Sequence, residues 1–135
     1  MDRSEENLWL ELVVSSPVLF VTNDFGPRAG GIETFVIGLI ERRPFGQTIV
    51  YTSAQAGSEE YDKAWKTDFG VTVIRDRAKI LLPTPRVARN VARIIKESEI
   101  QVAAFGAAAP LGLLSASMKR AGVQKTVALT HGHEV

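Results

Sequence analysis

Residues Val18 to Ile40 read VLFVTNDFGPRAGGIETFVIGLI, and their pattern gives the first indication of the fold class. The stretch opens with a short apolar run at Val18–Val21, passes through a loop that contains a glycine pair, and ends in apolar residues at helical spacing. That apolar stripe consists of Ile32, Phe35, Val36, Leu39 and Ile40. The pattern predicts a buried strand, a glycine-containing turn and a helix that packs on a sheet.

The same alternation of strand and helix patterns continues along the chain. The further apolar runs are Thr48–Tyr51, Val71–Ile74, Val102–Phe105 and Thr126–Leu129. Three further segments have helical patterns, namely GSEEYDKAWKTDFG, TPRVARNVARIIKES and PLGLLSASMKRAG. Thr84 and Pro85 suit the start of the second of these helices, and Gly122 suits the end of the third. Short strands that are apolar on both faces are typical of a parallel sheet covered by helices. The predicted fold class is therefore α/β, a Rossmann-like doubly wound parallel sheet.

Composition limits the function classes. The chain has 135 residues, of which 45% are hydrophobic and 23% charged, and its formal net charge is +1. These values predict one globular domain. Because the first apolar run begins at Val18, the domain is placed at residues 18–135, after an N-terminal extension at residues 1–17. The small net charge argues against a general nucleic-acid binder. Because the chain has no cysteine, disulfides, thiolate nucleophiles and cysteine-based zinc sites are excluded.

Doubly wound sheets bind ligands at the carboxyl ends of their strands, near the point where the strand order reverses. This rule selects four loops, which are Thr22–Gly31, Thr52–Ala56, Gly106–Pro110 and Thr130–Glu134. We therefore expect the residues that carry function to lie in these loops.

The glycine pair Gly30–Gly31 in the first loop predicts an anion site. Without Cβ atoms, the backbone N–H groups at the helix start could approach a phosphate closely, and the helix dipole would favour its charge. The loop is neither a dinucleotide G-x-G-x-x-G motif nor a phosphate loop with Gly-Lys-Ser/Thr. The alternative, about equally favoured by the loop alone, is that the glycines only permit a tight turn and close packing.

His131 follows the fifth predicted strand in LTHGHE and would face the same crevice. Taken alone, a histidine in this position is more often structural or exposed than catalytic. His131 and His133 could suggest a metal, but two ligands without a third are weak evidence, so no metal site is predicted.

The third helical pattern carries basic residues opposite its apolar stripe, namely Arg86, Arg89, Arg93 and Lys96. Such a face is usually just solvated, and that interpretation is favoured. The alternative is contact with an anionic membrane surface, worth ~1 kcal/mol for each basic residue near the bilayer. Arg77 and Lys79 strengthen this alternative slightly.

Five motifs together resemble a known family. VTNDFGPRAGGIETF, YTS, LPTP, FGAAAPLGLLS and THGHEV are similar in kind and order to the N-terminal half of retaining glycosyltransferases of family 4, which have the GT-B fold. Within that family the similarity is greatest to the GDP-mannose-dependent phosphatidylinositol monomannoside mannosyltransferases, and it covers Val18–Val135. The resemblance implies a donor that is GDP-mannose or another sugar nucleotide, an anionic lipid acceptor and no cofactor. It also implies a cytoplasmic protein that contacts the inner face of the cell membrane peripherally.

The resemblance also assigns roles to single residues. Gly30 and Gly31 match the family's glycine loop, which lies against the donor diphosphate and the acceptor pocket. His131 matches the histidine near the transferred sugar and is the catalytic candidate, while Asp24 and Arg28 are candidates for acceptor contacts. The leaving diphosphate helps deprotonate the acceptor in such enzymes, so catalysis would rest on positioning and charge stabilisation.

Two features depart from the family pattern. Many relatives read Phe-Pro-Pro before the glycine loop, whereas here Gly26 separates Phe25 from Pro27, which is expected to loosen the turn. The sequence also stops at Val135, so we expect an incomplete GT-B half without the C-terminal donor-binding domain. We expect this chain to be inactive alone, and its fifth strand to form an exposed apolar edge of the sheet. The alternatives are a non-catalytic α/β module that binds an anionic ligand or partner through the glycine loop, and a truncated product without a stable fold.

Overall fold

The computed structural model describes residues 17–23, 25–27, 31–105 and 111–128. The strands are β1 (Val18–Thr22), β2 (Thr48–Thr52), β3 (Thr72–Arg75), β4 (Val102–Phe105) and β5 (Lys125–Ala128). The helices are α1 (Gly31–Glu41), α2 (Ser58–Phe69), α3 (Pro85–Ser98), a 3₁₀ turn (Leu111–Leu114) and α4 (Ser115–Ala121). None of the described helices is long and apolar enough to cross a bilayer.

The five strands form one parallel sheet in the order β3-β2-β1-β4-β5. The chain builds the sheet outward from β1 to β3, then returns to pair β4 with the other side of β1. Val18 accordingly lies opposite Thr48 on one side and Val102 on the other. The Rossmann-like doubly wound prediction is confirmed, and the reversal of strand order lies between β1 and β4.

Helices cover both faces of the sheet, which explains why the central strand is apolar throughout. All five residues of β1 are buried. On one face Leu19 and Val21 pack with Val91 of α3 and Met118 of α4. On the other face Phe20 packs in a second cluster, formed by these residues of α1, α2, β2 and β4: Val36, Ile40, Trp65, Val50 and Ala104.

The helix ends follow the sequence signals. The Thr84 hydroxyl accepts a hydrogen bond from the backbone N–H of Val87 (3.2 Å), and Pro85 is the first residue of α3. Gly122 ends α4 as predicted, although the segment before Ser115 is a 3₁₀ turn and not the start of the α-helix. Gly70 ends α2 at φ 67°, where an added Cβ would lie 2.6 Å from the backbone N of Gly46.

Strand β5 forms one edge of the sheet, as expected, but its composition differs from an apolar edge. Its two exposed positions are Lys125 and Ala128, and the two residues between them are half-buried. A lysine on an edge strand opposes pairing with a second chain. Leu129, predicted as the last strand residue, lies outside the described residues.

Candidate functional site

The carboxyl ends of β1 and β4 define the crevice in which this type of sheet binds ligands. Val21 of β1 is paired with Phe105 of β4, so the loops that follow both strands leave the sheet side by side. Helix α1 begins at Gly31, directly after the loop that follows β1. The amino end of α1 therefore belongs to the switch point, where a helix terminus can bind an anion.

Most of the residues predicted for this crevice lie outside the described part of the chain. Asp24, Arg28, Gly30 and His131 belong to this group, and their roles stay predictions. The backbone of Gly31 is described, and Gly31 is the first residue of α1.

Aromatic packing fixes the loop after β1 before it reaches the glycine pair. Phe25 is fully buried, and its ring centroid lies 5.6 Å from that of Tyr61 and 5.3 Å from that of Trp65. The Tyr61 hydroxyl donates a hydrogen bond of 2.7 Å to the carbonyl oxygen of Phe25. One residue of this loop is thus anchored to helix α2 through both its ring and its backbone.

Arg75, the last residue of β3, holds the same loop from a second direction. Its Nη2 donates to the Gly26 carbonyl (2.8 Å), and its Nη1 donates to the Ser53 carbonyl (3.0 Å). Nε and Nη2 bind the two carboxylate oxygens of Asp62 at 3.0 and 2.8 Å, and the guanidinium carbon lies 5.7 Å from the centre of the Phe25 ring. Arg75 thereby joins the loops after β1 and β2 to helix α2.

Gly26 does not act as the loose point that the sequence suggested. Its φ of 107° is a conformation that side chains with a Cβ rarely adopt, so glycine is required there. Its carbonyl is one of the groups that Arg75 binds. The turn is held in place by a buried arginine and a glycine-specific backbone conformation.

The segment after β3, which the sequence analysis did not select, is tied to the same edge. The Asn23 side chain accepts from Leu81 N–H (2.7 Å) and donates to the Leu81 carbonyl (3.2 Å). Ala54 N–H donates to the Ala78 carbonyl at 2.8 Å. The loops after three adjacent strands therefore form one cross-linked unit beside the crevice. The available signal was the Arg75-Asp76 pair at the carboxyl end of an apolar run.

The buried carboxylate of Asp76 is the centre of a separate group of hydrogen-bonded side chains, directly after β3. The carboxylate binds both terminal nitrogens of Arg86 (2.7 and 2.9 Å) and accepts from Ala78 N–H and from the Tyr51 hydroxyl. Asn90 donates to the Tyr51 oxygen at 3.2 Å. Hydrogen bonds from Arg86 hold the pKa of Asp76 well below its usual range, and burial, with the nearby Asp76 carboxylate, raises the pKa of Tyr51 to about 12.

The basic helix predicted from the sequence is α3, and the structure divides its cations into two kinds. Arg86 is already paired within the fold, because both of its terminal nitrogens bind Asp76, and its side chain is 32% exposed. Arg89, Arg93 and Lys96 are exposed, and within the described ranges none of the three forms an ion pair. Among the described residues no group of three or more His, Cys, Asp and Glu side chains is placed to hold a metal ion.

The fold defines the class of protein, which is a Rossmann-like α/β domain whose strand order reverses between β1 and β4. Sequence comparison identifies its relatives. The chain is 42% identical over 121 residues to the GDP-mannose-dependent monoacylated alpha-(1-6)-phosphatidylinositol monomannoside mannosyltransferase of Corynebacterium glutamicum. It is 44% and 42% identical, over 120 and 124 residues, to the GDP-mannose-dependent alpha-(1-6)-phosphatidylinositol monomannoside mannosyltransferases of Mycolicibacterium smegmatis and Mycobacterium tuberculosis.

These alignments cover 87% to 90% of this chain, and they confirm the resemblance to the phosphatidylinositol mannoside mannosyltransferases, which are glycosyltransferases. The parallel sheet fits part of one half of a GT-B fold. The chain spans about a third of the length of these relatives, since the aligned region is 31% to 32% of each. No protein-family model matches the chain.

Proposed function

We propose that this chain is part of an α-mannosyltransferase that moves mannose from GDP-mannose to a phosphatidylinositol mannoside. The observation that carries this proposal is the identity of 42% to 44% over about nine tenths of the chain to enzymes named for that donor and acceptor. The start of α1 at Gly31, beside the switch point, supports a site for the donor diphosphate in the expected loop.

The proposed roles follow the order of the crevice loops. Backbone N–H groups at Gly30 and Gly31 bind the diphosphate, and Asp24 and Arg28 contact the acceptor. His131 hydrogen-bonds the donor near the transferred sugar and stabilises developing charge. The leaving diphosphate, on the face where the acceptor enters, assists removal of the acceptor proton, so the chain's own contribution is positioning and charge stabilisation.

The anchoring of Phe25 and Gly26 supports this assignment physically. An anion site made of backbone N–H groups binds more tightly when those groups are held in place before the ligand arrives, because less ordering is needed on binding. Arg75 and Tyr61 fix the loop a few residues before the glycine pair through hydrogen bonds of 2.7 to 2.8 Å to its carbonyl oxygens. The described part of the loop, at Phe25 and Gly26, is thus held in place by the fold.

The test is a titration of the 135-residue chain with GDP-mannose, followed by calorimetry or by amide chemical shifts. Binding is the appropriate measurement because the chain spans about a third of its relatives, and we expect no turnover from it alone. Gly31→Val places a branched side chain where the phosphate would approach and should weaken binding about tenfold or more, equivalent to at least ~1.4 kcal/mol.

Gly38→Val is the matched control, since it makes the same substitution in the same helix. A Cβ at Gly38 would meet only the Arg42 guanidinium, at 3.5 Å, which is an ordinary contact. Its affinity for GDP-mannose should stay within about twofold of the original chain. Equal binding of inorganic pyrophosphate and GDP-mannose would favour a non-catalytic anion-binding module. Unchanged binding in Gly31→Val would show that the glycine only serves packing.

We also propose a peripheral contact of this chain with an anionic membrane surface, at the inner face of the cell membrane. The specific observation is that Arg89, Arg93 and Lys96 on α3 are exposed and carry no carboxylate partner in the described part of the chain. Binding to vesicles should require anionic lipid and weaken with salt, because screening shortens the range of the attraction. Binding that is independent of both would contradict the contact.

A further inference from the structure

A shallow groove runs between helices α3 and α4, and its form follows from small side chains at the helix contact. Ala88 and Ala92 of α3 and Ala121 of α4 are half-buried along it. Because alanines leave the space between two helices unfilled, a depression of about 260 Å³ remains. We call this depression the α3–α4 groove.

Three cations line the α3–α4 groove. Arg89 and Lys96 come from α3, Arg120 comes from α4, and the Ser117 hydroxyl group lies among them. No carboxylate of the described chain lines the groove. Three like charges at close range repel one another, and a bound anion offsets this repulsion. The cluster of cations is therefore more stable when an anion occupies the groove.

These cations differ from the arginines that the fold uses internally. Arg75 and Arg86 each bind a carboxylate, at 2.8 and 2.7 Å. Arg89, Lys96 and Arg120 are exposed and make no ion pair with any residue that the structure describes. Their donors are therefore available to a ligand, and arginine binds phosphate oxygens in a bidentate manner.

The size of the groove limits the ligand. Sites for drug-sized molecules usually enclose ~300–1,000 Å³, and 260 Å³ lies below that range. The groove therefore suits a single phosphate group better than a whole sugar nucleotide. Two further features of the surface favour a phosphate presented at a bilayer. Arg93 and Lys119 are exposed cations outside the groove, and Leu113, in the 3₁₀ turn that precedes α4, is 76% exposed.

We propose that the α3–α4 groove is a binding site for the headgroup phosphate of an anionic membrane lipid. This inference rests on the membrane contact proposed above and gives that contact a defined site. It also adds Arg120 of α4 to a surface that the sequence pattern confined to one helix.

The test compares two double variants in sedimentation with vesicles of phosphatidylcholine, alone and mixed with phosphatidylinositol. Arg89→Gln with Arg120→Gln removes one groove cation from each helix. Arg93→Gln with Lys119→Gln is the matched control, because it removes one exposed cation from each helix outside the groove. The groove variant should bind phosphatidylinositol vesicles at least about tenfold more weakly than the control, a difference of ~1.4 kcal/mol.

A third variant removes the space and leaves the charge unchanged. Ser117→Leu puts an uncharged side chain into the groove, and it should also weaken vesicle binding by roughly tenfold. Thermal unfolding of every variant should match the original chain, which shows that each variant is folded. Equal losses in the two double variants, or full binding by Ser117→Leu, would overturn the groove as a site.

Two further outcomes distinguish this inference from the proposals on which it rests. An original chain that binds no anionic vesicles would contradict the membrane contact together with the groove, while the titration with GDP-mannose would still judge the transferase proposal. Inorganic phosphate that shifts the amide signals of Ser117 and Ala121 while vesicles fail to bind would indicate a soluble anion and overturn the lipid assignment. Shifts caused by both probes would support the headgroup site.

Discussion

The arginines at the carboxyl edge of the sheet and the cations of the α3–α4 groove carry the same charge but face different surroundings. At the edge, Arg75 binds Asp62 and Arg86 binds Asp76, with shortest distances of 2.8 and 2.7 Å. Both carboxylates have low exposure, 19% for the side chain of Asp62 and 1% for that of Asp76. The three groove cations have no such partner among the described residues.

This difference separates the charges that order the fold from the charges that the described residues leave unpaired. A buried arginine needs a carboxylate and carbonyl oxygens, because a charge without partners is costly away from water. Once paired, it orders the loops that it joins. An exposed cation is hydrated and contributes little to folding, so its replacement costs little stability. The comparison predicts large stability effects at the edge and small ones in the groove.

The largest effect is expected for Arg75→Met. Its side chain is 12% exposed, and its loss leaves the Asp62 carboxylate and the carbonyl oxygens of Ser53 and Gly26 without their donor. Removing one partner of a buried ion pair costs ~3–5 kcal/mol, and the partial exposure of Asp62 points to about 3 kcal/mol here. Urea denaturation measures the loss.

Arg93→Met is the control for this prediction, because it removes an exposed arginine with no ion pair in the described chain. Its free energy of unfolding should change by less than about 0.5 kcal/mol. If Arg75→Met were as stable as Arg93→Met, the pairing at the sheet edge would not distinguish structural from available charges. Because Arg75 anchors the loop before the glycine pair, the same variant should also bind GDP-mannose more weakly.

The second effect is a pH dependence at both extremes, centred on Asp76 and Tyr51. Arg86 holds the pKa of Asp76 below its ordinary value of 3.8, so the folded state gains stability from this carboxylate above pH 3.8 and loses it as the pH falls below that value. The pKa of Tyr51 is raised from 10.0 to about 12, so its contribution is complete below pH 10 and is lost between pH 10 and 12.

Tyr51→Phe tests the alkaline half of this prediction. The variant loses the hydrogen bond to Asp76 and should be about 1 kcal/mol less stable at neutral pH. Since phenylalanine does not ionise, the fall in stability between pH 10 and 12 should be smaller in the variant than in the original chain. Parallel pH profiles for the two proteins would contradict the role assigned to Tyr51.

The strands and helices could be predicted because their signals are local. The five apolar runs each correspond to a strand within one residue in the described part of the chain, and Thr84 with Pro85 marks the start of α3. A period of apolar residues and a capping pattern depend on neighbours a few positions apart, so a single sequence contains them. The position of Gly31 at the start of α1 follows from the same local pattern.

The contacts that shape the site could not be read in this way. Arg75 is 49 residues from Gly26 and 13 from Asp62, and only the folded sheet brings them together. Arg86 shows the same limit, since its spacing on α3 suggests a solvated face while the nearby end of β3 supplies Asp76. Whether a cation has an acidic partner depends on the tertiary structure, and the presence of that partner distinguishes the paired from the unpaired arginines.

The smallest effect on stability is expected for the cations of the α3–α4 groove. Replacing Arg89, Lys96 and Arg120 together by glutamine should change the free energy of unfolding by less than about 0.5 kcal/mol in low salt, since the three are exposed and unpaired in the described chain. Any change should be a gain, because the substitution removes repulsion between like charges, and added salt should reduce it. A loss of more than about 1 kcal/mol in the triple variant would mean that the groove cations hold the two helices together, and charges without partners could then no longer be taken as available for a ligand.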